Sequence, residues 1–164
     1  MDSPDVSRRV PLADARGAVL AEELPAATPE YDRARVAGYA VAAVDVEDTR
    51  RATPVVMDVV ADLAPHQDPP AETPLRTAVA VSVGAPLPPT TDAVVQTVDA
   101  SRRNDDVALR EPVVPGENVL SATTLGGRET VAAGTLLTAR TIALLGAAGH
   151  ETVPAVAEAG GVSG

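Results

Sequence analysis

The side chains best equipped for chemistry in this sequence are carboxylates placed at turns. Asp32 stands before a turn, Asp92 follows a Thr-Thr pair, Asp99 lies near the end of an apolar run, and Glu117-Asn118 follow Pro115-Gly116. Carboxylates can gather round a hard divalent cation or organise an anionic substrate. The same group beside a turn can instead accept a hydrogen bond from a backbone N–H, and these positions favour that use. His66 sits in the polar, proline-rich stretch HQDPPAETP with no second His or Cys nearby, so it reads as a solvated loop histidine. His150, next to Glu151, reads as a charge at a helix end. The sequence has no cysteine, no G-x-S-x-G, no H-E-x-x-H and no glycine-rich loop entering a helix, so no generic catalytic motif is present.

The elements that must position these groups are short. Pro11 suits a first helical position, and Leu12, Ala15, Val19 and Leu20 predict a short helix ending before Pro25, after a frayed polar start of nine residues. Asp45 to Thr53 reads as a loop or helical turn. VVMDVVADL, residues 55–63, predicts a strand rich in β-branched residues. The apolar run 78–83 predicts a strand buried on both faces. Gly84 breaks that run, and Pro86, Pro88 and Pro89 then impose a semi-rigid extended elbow, because they fix φ and carry no N–H. Ala93-Val94-Val95 opens the next strand. Val95 to Val98, the polar turn SRRNDD and the strand 107–110 read as an antiparallel pair. Pro115-Gly116 sets a turn with Gly at positive φ. Thr138 predicts an N-cap for a helix with an apolar stripe of Ile142, Leu144 and Leu145, and Gly149 predicts its left-handed C-cap.

Composition narrows the class. Fifteen prolines and 12 glycines in 164 residues argue against a helical bundle and for many short elements. The apolar 45 % is mostly Ala and Val, with no Phe or Trp, so the core layers should be thin or covered by a partner. All 13 basic residues are Arg, which a GC-rich coding sequence would explain. A net charge of −10 argues against nucleic acid or an anionic membrane surface as partner. No apolar run approaches the ~20 residues of a bilayer span, and the start MDSPDVSRRVPL lacks a signal-peptide core. The absence of cysteine suits the cytoplasm.

Several stretches, in order, resemble signatures of the MoeA/gephyrin family, the molybdopterin molybdotransferases. PLADARGAVLAEEL (11–24) is similar to the family's PLxxAxGRVLAEDV. PAATPEYDRARVAGYAV (25–41) resembles P-x-F-D-x-S-A-M-D-G-Y-A-V, and Pro29, Tyr31, Asp32, Gly38, Tyr39, Ala40 and Val41 match. Gly-Ala-Pro-Leu-Pro, three residues, then Asp-Ala-Val-Val (84–95) resembles a third signature. REPVVPGENV (110–119) resembles x-x-P-V-x-P-G-E-N-V/I, and GTLLTARTIALLGAAG (134–149) resembles GTxLTPAEIGLLASLG. The resemblance runs from about residue 10 to 156 and spans the family's first two domains.

That resemblance implies a mainly β protein with a few short helices (α+β). Residues 1–30 and 114–156 would form an elongated lobe of curled sheets, 31–113 an inserted β-rich domain, and 157–164 a disordered tail. The cleft residues it implies are Asp32, Gly38, Tyr39, Gly84, Pro86, Asp92, Glu117 and Asn118. The family's second Asp falls on Ala37, its Ser on Ala34 and its Met on Val36, and the window Ser121 to Leu125 lacks the family's downstream acids. The family works with Mg2+, molybdate and adenylylated molybdopterin in molybdenum cofactor biosynthesis. With those acids lost and the pterin-binding domain outside this sequence, the expectation is a chain that binds none of them alone and does not catalyse metal insertion alone. It would act as part of a split or truncated molybdotransferase, or as a degenerate assembly module pairing with a full-length homologue. A domain remnant with no role of its own is the third reading. A cytoplasmic homodimer, or a heteromer with such a homologue, is the association expected.

Overall fold

A computed structural model of the protein describes residues 7–125 and 129–156. In chain order it contains β1 (Arg8–Pro11), β2 (Val19–Leu20), β3 (Leu24–Pro25), β4 (Arg33–Ala34), β5 (Gly38–Val41), β6 (Val55–Leu63), β7 (Thr77–Val81), β8 (Ala93–Gln96), β9 (Ala100–Arg103), β10 (Asp106–Leu109), β11 (Val119–Leu120), α1 (Ala122–Leu125), β12 (Thr130–Val131), α2 (Ala139–Ala147) and β13 (Thr152–Val156). The protein is mainly β with a few short helices. Among the described residues no helix is long and apolar enough to cross a membrane.

Six strands form the largest sheet, in the order β8-β5-β7-β6-β10-β9. All its pairs are antiparallel except β6 with β7, which run parallel. β5 lies between β8 and β7 and all four of its residues are buried. One face of the sheet packs Tyr39, Val41, Met57, Val59, Ala78, Val95 and Val107 together. The other packs Ala40, Leu63, Val79, Val81 and Val94 against Ala34, Ala85 and Leu87. β6 serves both faces because its register against β7 shifts between Val59 and Ala61. The extra residue, Val60, moves the following side chains to the opposite face.

A second group of elements surrounds α2. β1, β13 and β2 form a three-stranded sheet in that order, and Leu12, Leu20, Leu125, Leu137, Ile142, Leu145 and Val153 share one apolar cluster. Each fully buried Leu or Val contributes roughly 1.5–3 kcal/mol relative to exposure, so a core without Phe or Trp relies on many modest contributions. Thr138 caps α2 by accepting from the Thr141 N–H at 3.3 Å, and Gly149 follows the helix with φ 93°. Both features agree with the sequence expectation.

Three local expectations are corrected. The helix expected after Pro11 is a single 3-10 turn, Leu12–Asp14. Gly17 takes φ 91°, and Val19–Leu20 pairs with β13 instead of continuing a helix. The buried set still includes Leu12, Ala15 and Leu20, so the residues that face the core were right and the backbone was not. The start is not frayed through residue 9, since Arg8 and Arg9 pair with Ala155 and Pro154, and Arg9 donates to the Thr152 carbonyl at 3.1 Å. The expected pairing of 95–98 with 107–110 is also displaced. Thr97–Asp99 is a 3-10 turn, and the hairpin is β9 with β10 about Asn104-Asp105. The tail 157–164 lies outside the described residues.

Two predictions follow from the sheet. A Cβ on Gly38 would overlap the Val95 carbonyl oxygen of the neighbouring strand. Gly38→Ala should therefore destabilise the protein by more than about 3 kcal/mol, and a urea midpoint close to wild type would refute the close approach. On β10, Asp106 faces Asp58 of β6 in register. Its carboxyl is held above the usual range by a side-chain hydrogen bond with Asp58, then by desolvation, then by repulsion from Asp58 and Asp105. With its folded value raised, stability tied to Asp106 is present below the ordinary carboxylate range and lost as pH rises. Asp106→Asn should match wild type near about pH 3 and gain on it toward about pH 7. A stability difference that stays constant across that range would reject this.

Candidate functional site

The segment 32–35 is the point where the stretches that resemble family signatures meet in space. On one side it bonds to the proline elbow. Gly84 N–H donates to Ala34 O at 2.8 Å, Ala34 N–H to Ala85 O at 2.9 Å, and Leu87 N–H to Asp32 O at 2.8 Å. On the other side β4 pairs with β11, and Arg35 N–H donates to Asn118 O at 2.9 Å. The turn at 114–118 then lies along β8. Gly116 N–H donates to Asp92 O at 2.7 Å, Val94 N–H to Glu117 O at 3.1 Å, and the Asn118 side-chain amide to Val94 O at 2.9 Å. Gly116 has φ 87°, as the Pro-Gly turn requires, and Asn118 has φ 62°.

Asp32, Gly84, Pro86, Asp92, Glu117 and Asn118 thus belong to one backbone crossing. Pro86 bridges to Arg33 there. A Cβ on Gly84 would come within 2.6 Å of Ile142 Cγ2, so the elbow rests directly on α2. Gly38 and Tyr39 sit apart from the crossing, in β5, with Tyr39 buried in the sheet core.

The three acids of this crossing have backbone partners. Asp32 Oδ1 accepts from Ala122 N–H at 2.9 Å, at the start of α1. Asp92 Oδ1 accepts from Ala43 N–H at 2.7 Å, at the 3-10 turn Ala43–Val46. Glu117 Oε1 accepts from Val114 N–H at 3.0 Å and closes its own turn. Asp99 instead pairs with Arg51 at 3.0 Å. His150, just past the end of α2, bonds Pro25 O through Nε2 at 2.8 Å and so links two chain segments. Among the described residues no group of three His, Cys, Asp or Glu is arranged to hold a metal ion.

Ala37 lies on the wall of an open groove of about 460 Å3, together with Ala13, Leu63, Ala64, Ala80 and Val81. Its one ionisable wall residue, Asp62, pairs with Arg102 at 2.7 Å. Gln67, also on the wall, accepts from Ala64 N–H at 2.8 Å and so braces the turn after β6.

Arg33 is the site residue that sequence reasoning missed. It is only 4 % exposed, and its Nη1 donates to Pro65 O at 2.8 Å and to Gly84 O at 3.1 Å. Its Nε has no partner. Desolvation lowers the guanidinium to about 10, against smaller opposing effects of Asp68 and Tyr31, so it stays charged at neutral pH. Nothing in the polar stretch DRAR distinguishes the buried Arg33 from the exposed Arg35.

A mainly β chain whose proline elbow and Pro-Gly turn clasp one short strand defines the class, and comparison with known proteins agrees. The family described as MoeA N-terminal region (domain I and II) matches residues 2–149, and the chain belongs to that family. It is 31 % identical over 128 residues to molybdopterin molybdenumtransferase 2 of Mycobacterium tuberculosis, covering 77 % of this chain and 30 % of that one. It is 30 % identical over 117 residues to the molybdopterin molybdenumtransferase of Synechococcus elongatus, covering 70 % of this chain and 29 % of the relative. The chain therefore spans less than a third of the length of these two relatives. A crystal structure of a molybdopterin biosynthesis MoeA protein from Pyrococcus horikoshii superimposes with a TM-score of 0.55 at 29 % identity, covering 93 % of this chain and 40 % of that one.

The cap geometry is testable through stability. Asp92→Ala should cost about 1 kcal/mol, the usual loss for removing a side-chain cap, and Asp92→Asn, which keeps an acceptor oxygen, only part of that. Urea denaturation of the two variants checks the order. Equal loss in both would mean that the negative charge matters and the cap does not.

Proposed function

We propose that this chain serves molybdenum cofactor biosynthesis as the domain I and II portion of a molybdotransferase, lending its β-rich lobe to a cleft whose transfer chemistry lies with other residues. Family membership supports the pathway. The observation that carries the division of labour is the use of the acids: Asp32, Asp92 and Glu117 each have an oxygen committed to a backbone N–H. Ala37 offers no carboxylate to the groove at all.

The resemblance implies a reaction joining molybdate to adenylylated molybdopterin with Mg2+. A hard divalent cation takes about six oxygen ligands. The retained acids do not fit that role, because each braces a different turn and, among the described residues, no three such groups gather round a common point. Gly38 and Tyr39 would hold the strand that follows Ala37, while Gly84, Pro86 and Asn118 would fix the crossing.

In the same reading, residues 1–30 and 114–156 form one lobe and 31–113 the inserted β-rich domain. Two features support that division. The six-stranded sheet draws only on residues 38–109, and the cluster around α2 draws mainly on residues outside that range. The partner proposed is a second copy or a complete homologue in the cytoplasm. The alternative, a degenerate assembly module, is favoured by the exposed Val44, Val56 and Leu75, which are 66, 63 and 90 % exposed.

The test incubates adenylylated molybdopterin and molybdate with this chain, alone and with a complete homologue. The expected outcome is no finished cofactor from the chain alone. Cofactor formed by the chain alone overturns the proposal. A complete homologue whose rate and co-elution are both unaffected by the chain would remove the assembly reading.

A further inference from the structure

The parallel strands β6 and β7 end at the same edge of the sheet, with Leu63 in register with Val81. Just beyond those ends the chain makes two turns, one carrying Pro65 and the other Gly84. Carbonyls in turns beyond the strand ends have no ladder partner unless something collects them. Here the collector is a single buried guanidinium, since Arg33 Nη1 reaches both Pro65 O and Gly84 O.

Helix α2 packs on the same two points. A Cβ on Gly146 would overlap the Pro65 carbonyl, and Ile142 lies against Gly84. The turn after β6 is thus gripped between α2 and Arg33, and its residues Ala64 and Gln67, with Leu63 at the end of β6, form a wall of the groove beside Ala37. Within the turn, Gln67 N–H donates to Ala64 O at 3.2 Å, and at its root Ser82 N–H donates to Leu63 O at 3.1 Å.

A guanidinium buried with no carboxylate in direct ion-pair contact among the described residues is a poor way to gain stability. Desolvating a charge costs several kcal/mol, and apolar replacement of buried ionic groups is often neutral or stabilising. The Arg33 guanidinium carries that cost with one nitrogen, Nε, unpartnered. Its return is geometric, because the two N–H groups of Nη1 tie carbonyls of two separate turns to one side chain.

We infer that Arg33 is a positioning residue, which holds the 64–68 turn, and with it one wall of the groove, in fixed register with α2. The inference concerns the local order of that wall and stands whether or not the chain acts in molybdenum chemistry.

The test compares wild type, Arg33→Met and Arg33→Lys by amide hydrogen exchange followed by NMR, with urea denaturation alongside. In Arg33→Met, protection of the Gln67 and Ser82 amides should fall at least tenfold, while amides in the centre of β5 and in α2 keep their protection. Arg33→Lys should restore part of the loss, since the ammonium keeps N–H donors but ends short of the position of Nη1. Unchanged protection at Gln67 and Ser82 in a folded Arg33→Met protein would overturn the inference. So would a loss spread evenly over all amides in step with the urea midpoint, which is the mark of an ordinary stability residue. If Arg33→Met does not fold, the same comparison between wild type and Arg33→Lys decides. There a selective loss at the two amides supports positioning, and a uniform loss or none rejects it.

Discussion

A backbone that has given up donors must be joined to its neighbours by the donors that remain, and this constraint shapes the centre of the molecule. Between Gly84 and Pro89 three of six residues are proline. Two of the remaining amides, those of Gly84 and Leu87, both bond to the 32–35 segment, which returns its own Ala34 N–H to Ala85 O. The elbow therefore has a single way to be held. Gly84, so held, lies directly against Ile142 of α2. The 110–119 turn completes the clasp from the opposite side through β11 and β8.

Once the backbone is arranged this way, the acids beside it are drawn into structural work. Each stands where an N–H would otherwise lack a partner, and a short, charge-assisted bond to that donor is worth more than an exposed carboxylate facing water. Sequence proximity to turns already pointed to capping. It did not give the partners, which for Asp32 and Asp92 lie 90 and 49 residues away. Those distances make the caps tertiary ties between chain segments as well as local ends.

Much of the fold was legible in the sequence where one residue type dictates one backbone state. The prolines marked the elbow, Pro115-Gly116 the turn, Thr138 and Gly149 the ends of α2, and the β-branched run the strand 55–63. Legibility failed where two states share a pattern. The spacing of Leu12, Ala15 and Leu20 suits one helical face, yet a 3-10 turn followed by a two-residue strand buries the same three side chains. In the hairpin, Ser101 to Arg103 looked like a polar turn, but at a sheet edge a strand with exposed arginines is a common protection against further pairing. The burial of Arg33 was invisible because its partners are carbonyls, which every residue possesses.

The shift at Val60 carries a further meaning for how this chain can diverge. Buried positions along β6 fall at 57, 59 and 63, so the alternation looks unbroken in sequence, although the first two belong to one core and the last to the other. The strand is a splice between two independently phased reading patterns, with Val60 as the spacer that keeps both in step. Deleting Val60 itself would leave Val59 opposite Ala78 and Ala61 opposite Val79 in a regular ladder, so each core would keep its side chains. Length is therefore tolerant at the bulge itself, where the pairs on either side already agree in register.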